Sequence, residues 1–193
     1  MTEKNVLVLV GSLRAASTNR QLAEAAVELA PEGVALSIYE GHGDLPLYNE
    51  DIDVEGSLPE SVVAFREAIS AADAVLVVTP EHNGTVPANL KNAIDWSSRP
   101  YGTSSIAAKP VAVIGTAFGQ FGGVWAQDEA RKAFGIAGAR LIEVATLAVP
   151  NSVVRFAETH PKDDADIAAQ LRSFVEQLVS ALDADDAAEA AAA

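Results

Sequence analysis

The sequence predicts an α/β fold in three layers, a five-stranded parallel sheet packed between helices. Two observations carry that prediction. Short β-branched runs alternate with segments of helical periodicity along the chain, the pattern of strand–helix–strand units. Four of the five strand runs are almost wholly apolar, as expected of strands covered on both faces.

The elements follow in order. Val6 to Val10 is a continuous apolar run that stops at Gly11. From Asn19 onward, Leu22, Ala25, Ala26 and Leu29 recur at one-face helical spacing up to Pro31, which marks an amphipathic helix. Val34 to Tyr39 reads as the second strand, followed by a polar loop rich in Gly and Asp to about Gly56. Ser57-Leu-Pro-Glu60 has the form of a capping box, and Val62, Phe65, Ile69 and Ala72 form the apolar stripe behind it. Ala74 to Val78 is the third strand, stopped by Pro80. Val86, Leu90, Ala93 and Ile94 mark the next helix, with Pro87 in its first turn, where a missing N–H costs nothing. Val111 to Gly115, a helix from Val124 to Phe134, and a strand from Ala139 to Val144 follow. The last helix presents Ile167, Leu171, Phe174, Val175, Leu178 and Leu182 on one face.

This organisation predicts a single domain over residues 1–182. Residues 183–193 form an acidic, Ala-rich tail, expected as a solvated, disordered or weakly helical extension. Its four acids account for part of the net charge of −14. The remaining body is still acidic, which disfavours nucleic acid and anionic membranes as partners. The chain has no cysteine, so disulfides, thiolate catalysis and thiolate metal sites are excluded. Its three histidines, His42, His82 and His160, have no metal-site spacing, and no metal is expected. The apolar run near the start is too short for a signal or membrane segment, which gives the expectation of a cytoplasmic protein. No G-x-S-x-G elbow or Gly-Lys-Ser/Thr occurs, against an α/β-hydrolase or a Walker loop.

In open parallel sheets ligands sit at the carboxyl ends of the strands, where the strand order reverses. The loops after Val10, Val78 and Gly115 should therefore carry the function. The first, Gly11 to Arg20, offers Ser12, Ser17, Thr18 and Asn19 as neutral donors and Arg14 as a flexible cation. Hydroxyls and free amides at a helix N-terminus suit a phosphate monoester. The alternative is a helix N-cap by Ser17 or Thr18 with a solvated Arg14. The glycine spacing of a dinucleotide fingerprint is absent, since Leu13 and Ala16 stand where it needs glycine.

The stretch Gly11-Ser-Leu-Arg14, Ser17 and Asn19 after a Val/Leu strand resembles the phosphate loop of the NADPH-dependent FMN reductase family. Two further motifs follow in order. Pro80-Glu-His-Asn-Gly84, with Leu90-Lys-Asn-Ala-Ile-Asp-Trp96 after it, resembles the segment that wraps the isoalloxazine edge, with His82 where tyrosine is usual. Gly122-Gly-Val-Trp-Ala-Gln127 resembles the family run after the fourth strand. The resemblance spans about residues 5 to 180. It implies a flavodoxin-like sheet of order 2-1-3-4-5, with FMN as cofactor and NADPH or NADH as electron donor. It also implies a small-molecule, quinone-like acceptor, ping-pong hydride transfer through flavin N5, and a homodimer or homotetramer.

The residues implied in cofactor binding are Ser12, Arg14, Ser17, Thr18, Asn19, Pro80, Glu81, His82, Asn83, Gly84, Thr116, Phe118 and Gly119. Phe118 and Phe121 are bulkier than usual there and are expected to shape the acceptor pocket. No side chain is assigned a catalytic role, because the flavin itself accepts hydride. Lys91, Asn92 and Asp95 read as helix-to-loop structural residues. Leu45 to Asp51 resembles a loop near the cofactor face and subunit interface, with Tyr48, Glu50 and Asp51 as partner contacts. Two rivals share these residues: a reductase that releases free reduced flavin to a partner monooxygenase, and a non-enzymatic flavin electron carrier.

Overall fold

The computed structural model describes residues 3–192. Five strands, β1 (Lys4–Val10), β2 (Val34–Ile38), β3 (Ala74–Val78), β4 (Pro110–Thr116) and β5 (Arg140–Val149), form one sheet in the order 2-1-3-4-5. All four pairings are parallel, as the apolar runs and the family resemblance required.

The period-two geometry of a strand splits its side chains between two cores. Val6, Val8 and Val10 of β1, with Leu76 and Val78 of β3, pack under α1 (Thr18–Glu28) and α6 (Ala165–Ala192). Leu7 and Leu9, with Val75 and Val77, pack on the other face under α2 (Glu60–Ala71), α3 (Ala88–Ser97) and α4 (Val124–Ile136). Each fully buried Val or Leu is worth about 1.5–3 kcal/mol, so these central strands form a rigid base for the loops at their ends.

Several elements differ from expectation for identifiable reasons. The capping box does not form: Pro59, with ψ 139°, is the N-cap of α2, and no side chain caps the helix. A residue before proline is pushed away from helical geometry, so the helix starts beyond reach of the Ser57 hydroxyl. Pro87 likewise stands at the N-cap of α3 rather than inside it. Strand β5 runs on to Val149, and between two of its pairings it advances five residues while β4 advances two. Past this irregularity Ala145, Leu147 and Val149 are buried while Thr146 and Ala148 are exposed, the alternation of an edge strand. The loop after β2 contains two 3₁₀ turns, Gly41–Asp44 and Glu50–Ile52, and a short helix α5 (Ser152–Arg155) follows β5. Helix α6 continues past Leu182 to Ala192. The side-chain surroundings of most of the tail, residues 185, 186 and 188–193, lie outside the described residues.

Candidate flavin site at the carboxyl edge of the sheet

The strand order reverses at β1, whose neighbours are β2 on one side and β3 on the other. The loops after β1, β3 and β4 leave the sheet side by side, locked by Gly11 N–H to Val78 O (2.9 Å) and Thr79 N–H to Ile114 O (3.0 Å). The approach is close enough to demand glycine. A Cβ on Gly115 would lie 2.2 Å from the Thr79 carbonyl oxygen, and one on Gly11 2.9 Å from Thr79 Oγ1.

In the first loop Ser17 is the N-cap of α1, its hydroxyl accepting from Arg20 N–H at 3.2 Å. That satisfies the third orphan amide of the helix. The amides of Thr18 and Asn19, the first two, find no acceptor among the described residues. These free donors lie at the positive end of the helix dipole. Ser12 is half-buried and Arg14 exposed; the Arg14 guanidinium forms no ion pair among the described residues. Its neighbour Arg20 is committed elsewhere, bonded to Glu40 (2.6 and 2.7 Å) and Glu24 (2.8 Å). Hydrogen bonding to these carboxylates raises the Arg20 pKa further, and Arg20 in turn pushes Glu40 below its usual range. Arg14 is thus the cation left for an incoming anion.

Asn19 does something else. Its side-chain amide donates to Thr116 O (2.8 Å) and accepts from Thr116 N–H (3.0 Å), and both residues are buried. The hydroxyl of Thr116 donates to Val149 O at 2.8 Å. Asn19 and Thr116 therefore staple the first turn of α1 to the end of β4. Thr18 Oγ1 reaches Ser152 Oγ at 3.4 Å, which brings α5 to the same seam.

In the second loop His82 and Thr85 exchange backbone hydrogen bonds of 3.0 and 3.1 Å. Asn83 and Gly84 between them have φ of 54° and 75°. This is a type I′ hairpin turn, the geometry Asn-Gly favours, and it holds His82, Asn83 and Gly84 out in solvent. Pro80 is half-buried, and Glu81 accepts from Ala126 N–H through Oε2 at 3.3 Å, so it caps the start of α4 across the crevice. In the third loop Phe118, Gly119 and Phe121 are exposed. Phe121 packs on Trp125, ring centroids 5.5 Å apart, so these aromatics belong to the crevice rim and not to the core.

The 45–53 segment is pinned from α3. Trp96 Nε1 donates to Pro46 O (2.7 Å), Asn92 Nδ2 donates to the same oxygen (3.0 Å), and Asn92 Oδ1 accepts from Tyr48 N–H (2.8 Å). Tyr48 packs edge-on against Trp96 and is half-buried. Asn92 is the helix-to-loop residue expected, while Lys91 and Asp95 pair with each other on the surface.

A cleft of about 360 Å³ lies between the first loop and the end of β2, with Ser12, Arg14, Arg20, Glu40 and His42 in its walls. A larger cavity of about 670 Å³ opens between α3 and α4. It includes none of the residues of the three loops, and its lysines Lys91 and Lys132 are each paired to a carboxylate. The free amides at the start of α1 and the exposed Arg14 lie at the sheet edge, outside this cavity. The described residues contain no cluster of acids and histidines able to hold a metal ion, and none of the described helices is long and apolar enough to cross a membrane.

Comparison with known proteins agrees with this geometry. Residues 4–153 match the family model of NADPH-dependent FMN reductase. The chain belongs to that family. A quinone reductase of Pseudomonas putida is 43% identical over 175 residues, which cover 91% of this chain and 90% of that protein. A quinone reductase of Escherichia coli K12 is 40% identical over 133 residues, 68% of this chain and 70% of its own. Among solved structures, the flavoenzyme NAD(P)H:(acceptor) oxidoreductase FerB from Paracoccus denitrificans superimposes with a TM-score of 0.83 at 36% identity, covering 93% of this chain and 97% of that one. As an FMN reductase family member the chain is an oxidoreductase of the flavoenzyme class, dependent on FMN and NAD(P)H. The fold, cofactor class and family expected from the three loop motifs all stand.

Proposed function

We propose that this chain is an FMN-dependent NAD(P)H oxidoreductase that reduces quinone-like or other small acceptors, working in the cytoplasm as a homodimer or homotetramer. The observation that carries the reading is the pair of free amides at the start of α1 beside Ser12 and the unpaired Arg14. In a chain with net charge −14, such a concentration of donors is a local anion site built against the overall field. It fits a flavin phosphate.

Ser12, Arg14, the Ser17 turn and the amides of Thr18 and Asn19 hold the phosphate. The turn of His82, Asn83 and Gly84 and the Phe118-Gly119 segment flank the ring, where backbone donors stabilise negative charge on the reduced pyrimidine side. Asn19 and Thr116 position the loops without touching the ligand by their side chains. Phe118, Phe121 and Trp125 form an apolar rim that orients a planar acceptor. FMN held there would supply the redox chemistry, the exchange of hydride and electrons between NAD(P)H and the acceptor in ping-pong order, with N5 as the hydride-accepting atom.

The test is steady-state oxidation of NADPH and NADH by the FMN-reconstituted protein with quinone, azo-dye and free-flavin acceptors. Parallel double-reciprocal lines with a quinone, and flavin retained through gel filtration, are expected. Loss of flavin on the column with turnover only on added FMN would instead establish a reductase of free flavin. Single-turnover oxidation that stalls without a protein partner would establish a carrier.

A further inference from the structure

His42 lies on neither the phosphate loop nor the ring-side loops, yet it joins them. It is 5% exposed and sits in the 3₁₀ turn after β2. Its Nδ1 faces Tyr39 O at 3.4 Å, and its Nε2 faces Asn89 Nδ2, in the first turn of α3, at 3.2 Å. One uncharged tautomer satisfies both contacts, with Nδ1–H donating to Tyr39 O and Nε2 accepting from the Asn89 amide. The next residue, Gly43, presses on the phosphate loop: a Cβ there would lie 2.8 Å from Leu13 Cδ2. The turn is therefore a bracket with one arm on Leu13, between Ser12 and Arg14, and the other on the helix that follows the Asn83-Gly84 turn.

We infer that His42 is a positioning residue for FMN, bracing the phosphate loop against α3, and that the brace holds only while its imidazole is uncharged. The inference rests on the flavin reading above and adds a residue and a pH dependence to it. A proton on Nε2 would set N–H against N–H at Asn89, so the amide must turn over or the bracket must part from α3. The charge would also be buried. The groups facing His42 oppose this weakly. Glu40 and Asp44 flank it on its own turn, but Glu40 is already bonded to Arg20; α3 contributes the neutral Asn89, the residue after β2 the Tyr39 carbonyl, β1 the Val10 carbonyl, and the shared cleft adds Arg14, Arg20 and Glu24. Burial outweighs the carbonyls and acids and pushes the His42 pKa below its ordinary 6.5.

The experiment is titration of the apoprotein with FMN between pH 5 and 8, followed by flavin fluorescence, for wild type, His42→Gln and Asn89→Asp. The FMN phosphate titrates near pH 6 as well, so each variant is compared with wild type at the same pH. In wild type the Kd rises as pH falls through the His42 range, by up to about tenfold per pH unit. In His42→Gln the Kd is weaker at pH 8, and the part of the pH dependence beyond that of the phosphate disappears. In Asn89→Asp the new carboxylate accepts from the protonated Nε2, so the contact to α3 survives protonation and the loss of affinity at low pH beyond that of the phosphate disappears. Superimposable pH profiles for wild type and His42→Gln would overturn the inference, as would a low-pH loss in Asn89→Asp equal to that of wild type. The latter variant decides the matter if His42→Gln does not fold. Absence of FMN binding to wild type at every pH would overturn the flavin reading itself, which is a different failure.

Discussion

Replacing Asn19 by alanine separates a staple from a ligand. The Asn19 side chain makes two hydrogen bonds to the backbone of Thr116, 2.8 Å to its carbonyl and 3.0 Å from its amide. Both partners are buried, Thr116 fully. Truncation leaves a buried N–H and a buried C=O unpaired, each costing about 1–3 kcal/mol, for a total of about 2–6 kcal/mol. In a domain of this size each kcal/mol lowers Tm by roughly 2–4 °C, so the apoprotein should melt roughly 4–24 °C lower. FMN affinity should fall too, because the first turn of α1 is no longer fixed to the end of β4. Arg14→Ala is the contrast: the residue is exposed and forms no ion pair among the described residues, so stability should hold to within about 0.5 kcal/mol while FMN binding weakens. Calorimetry or circular dichroism melts of the apoproteins, paired with FMN titration, read both quantities. If Asn19→Ala melts with wild type and loses only FMN affinity, Asn19 is a direct phosphate ligand and the staple argument is wrong.

Gly115→Ala would push a methyl to 2.2 Å from the Thr79 carbonyl oxygen, prising apart the loops after β3 and β4. Overpacking of this kind costs about 1–3 kcal/mol, visible as a lower apo Tm, and an unchanged melt would refute the tight strand-end packing. The Arg155–Asp164 pair, at 2.5 and 2.8 Å, ties α5 to the start of α6. Hydrogen bonding from Arg155 holds the Asp164 pKa below its ordinary 3.8. Its stabilisation is therefore fully present above that value and is lost as pH falls through the folded-state pKa. Asp164→Asn should melt below wild type at pH 7 and converge with it in acid; a difference independent of pH would contradict the assignment.

How much of this was legible in the sequence follows from how local each signal is. Strands β1, β3 and β4 could be read because burial on both faces writes an unbroken apolar run. The donor-rich loop after β1 could be read because its hydroxyl and amide residues are contiguous. The Asn19–Thr116 bond was not legible, since a contact across 97 residues leaves no local trace. The capping box failed on Pro59, a backbone effect that outranks the side-chain pattern. The length of β5 was underestimated although its buried-exposed alternation was present from Ala145, because the irregularity before it breaks the period. Only the tertiary contact to Asn89, 47 residues away, gives His42 a role. Asn83-Gly84 is a hairpin signal carried locally by the sequence, since Asn-Gly favours the type I′ turn.

The central claim is that the seam between β1 and α1 grips a phosphate. Titrating the apoprotein with FMN and with riboflavin under identical conditions tests it directly, since the two ligands differ only in that group. The account predicts one FMN per chain, bound at least about a hundredfold tighter than riboflavin, which corresponds to one or two charge-assisted hydrogen bonds, with most of the difference abolished by Ser12→Ala together with Arg14→Ala. Equal affinity for the two flavins would contradict it.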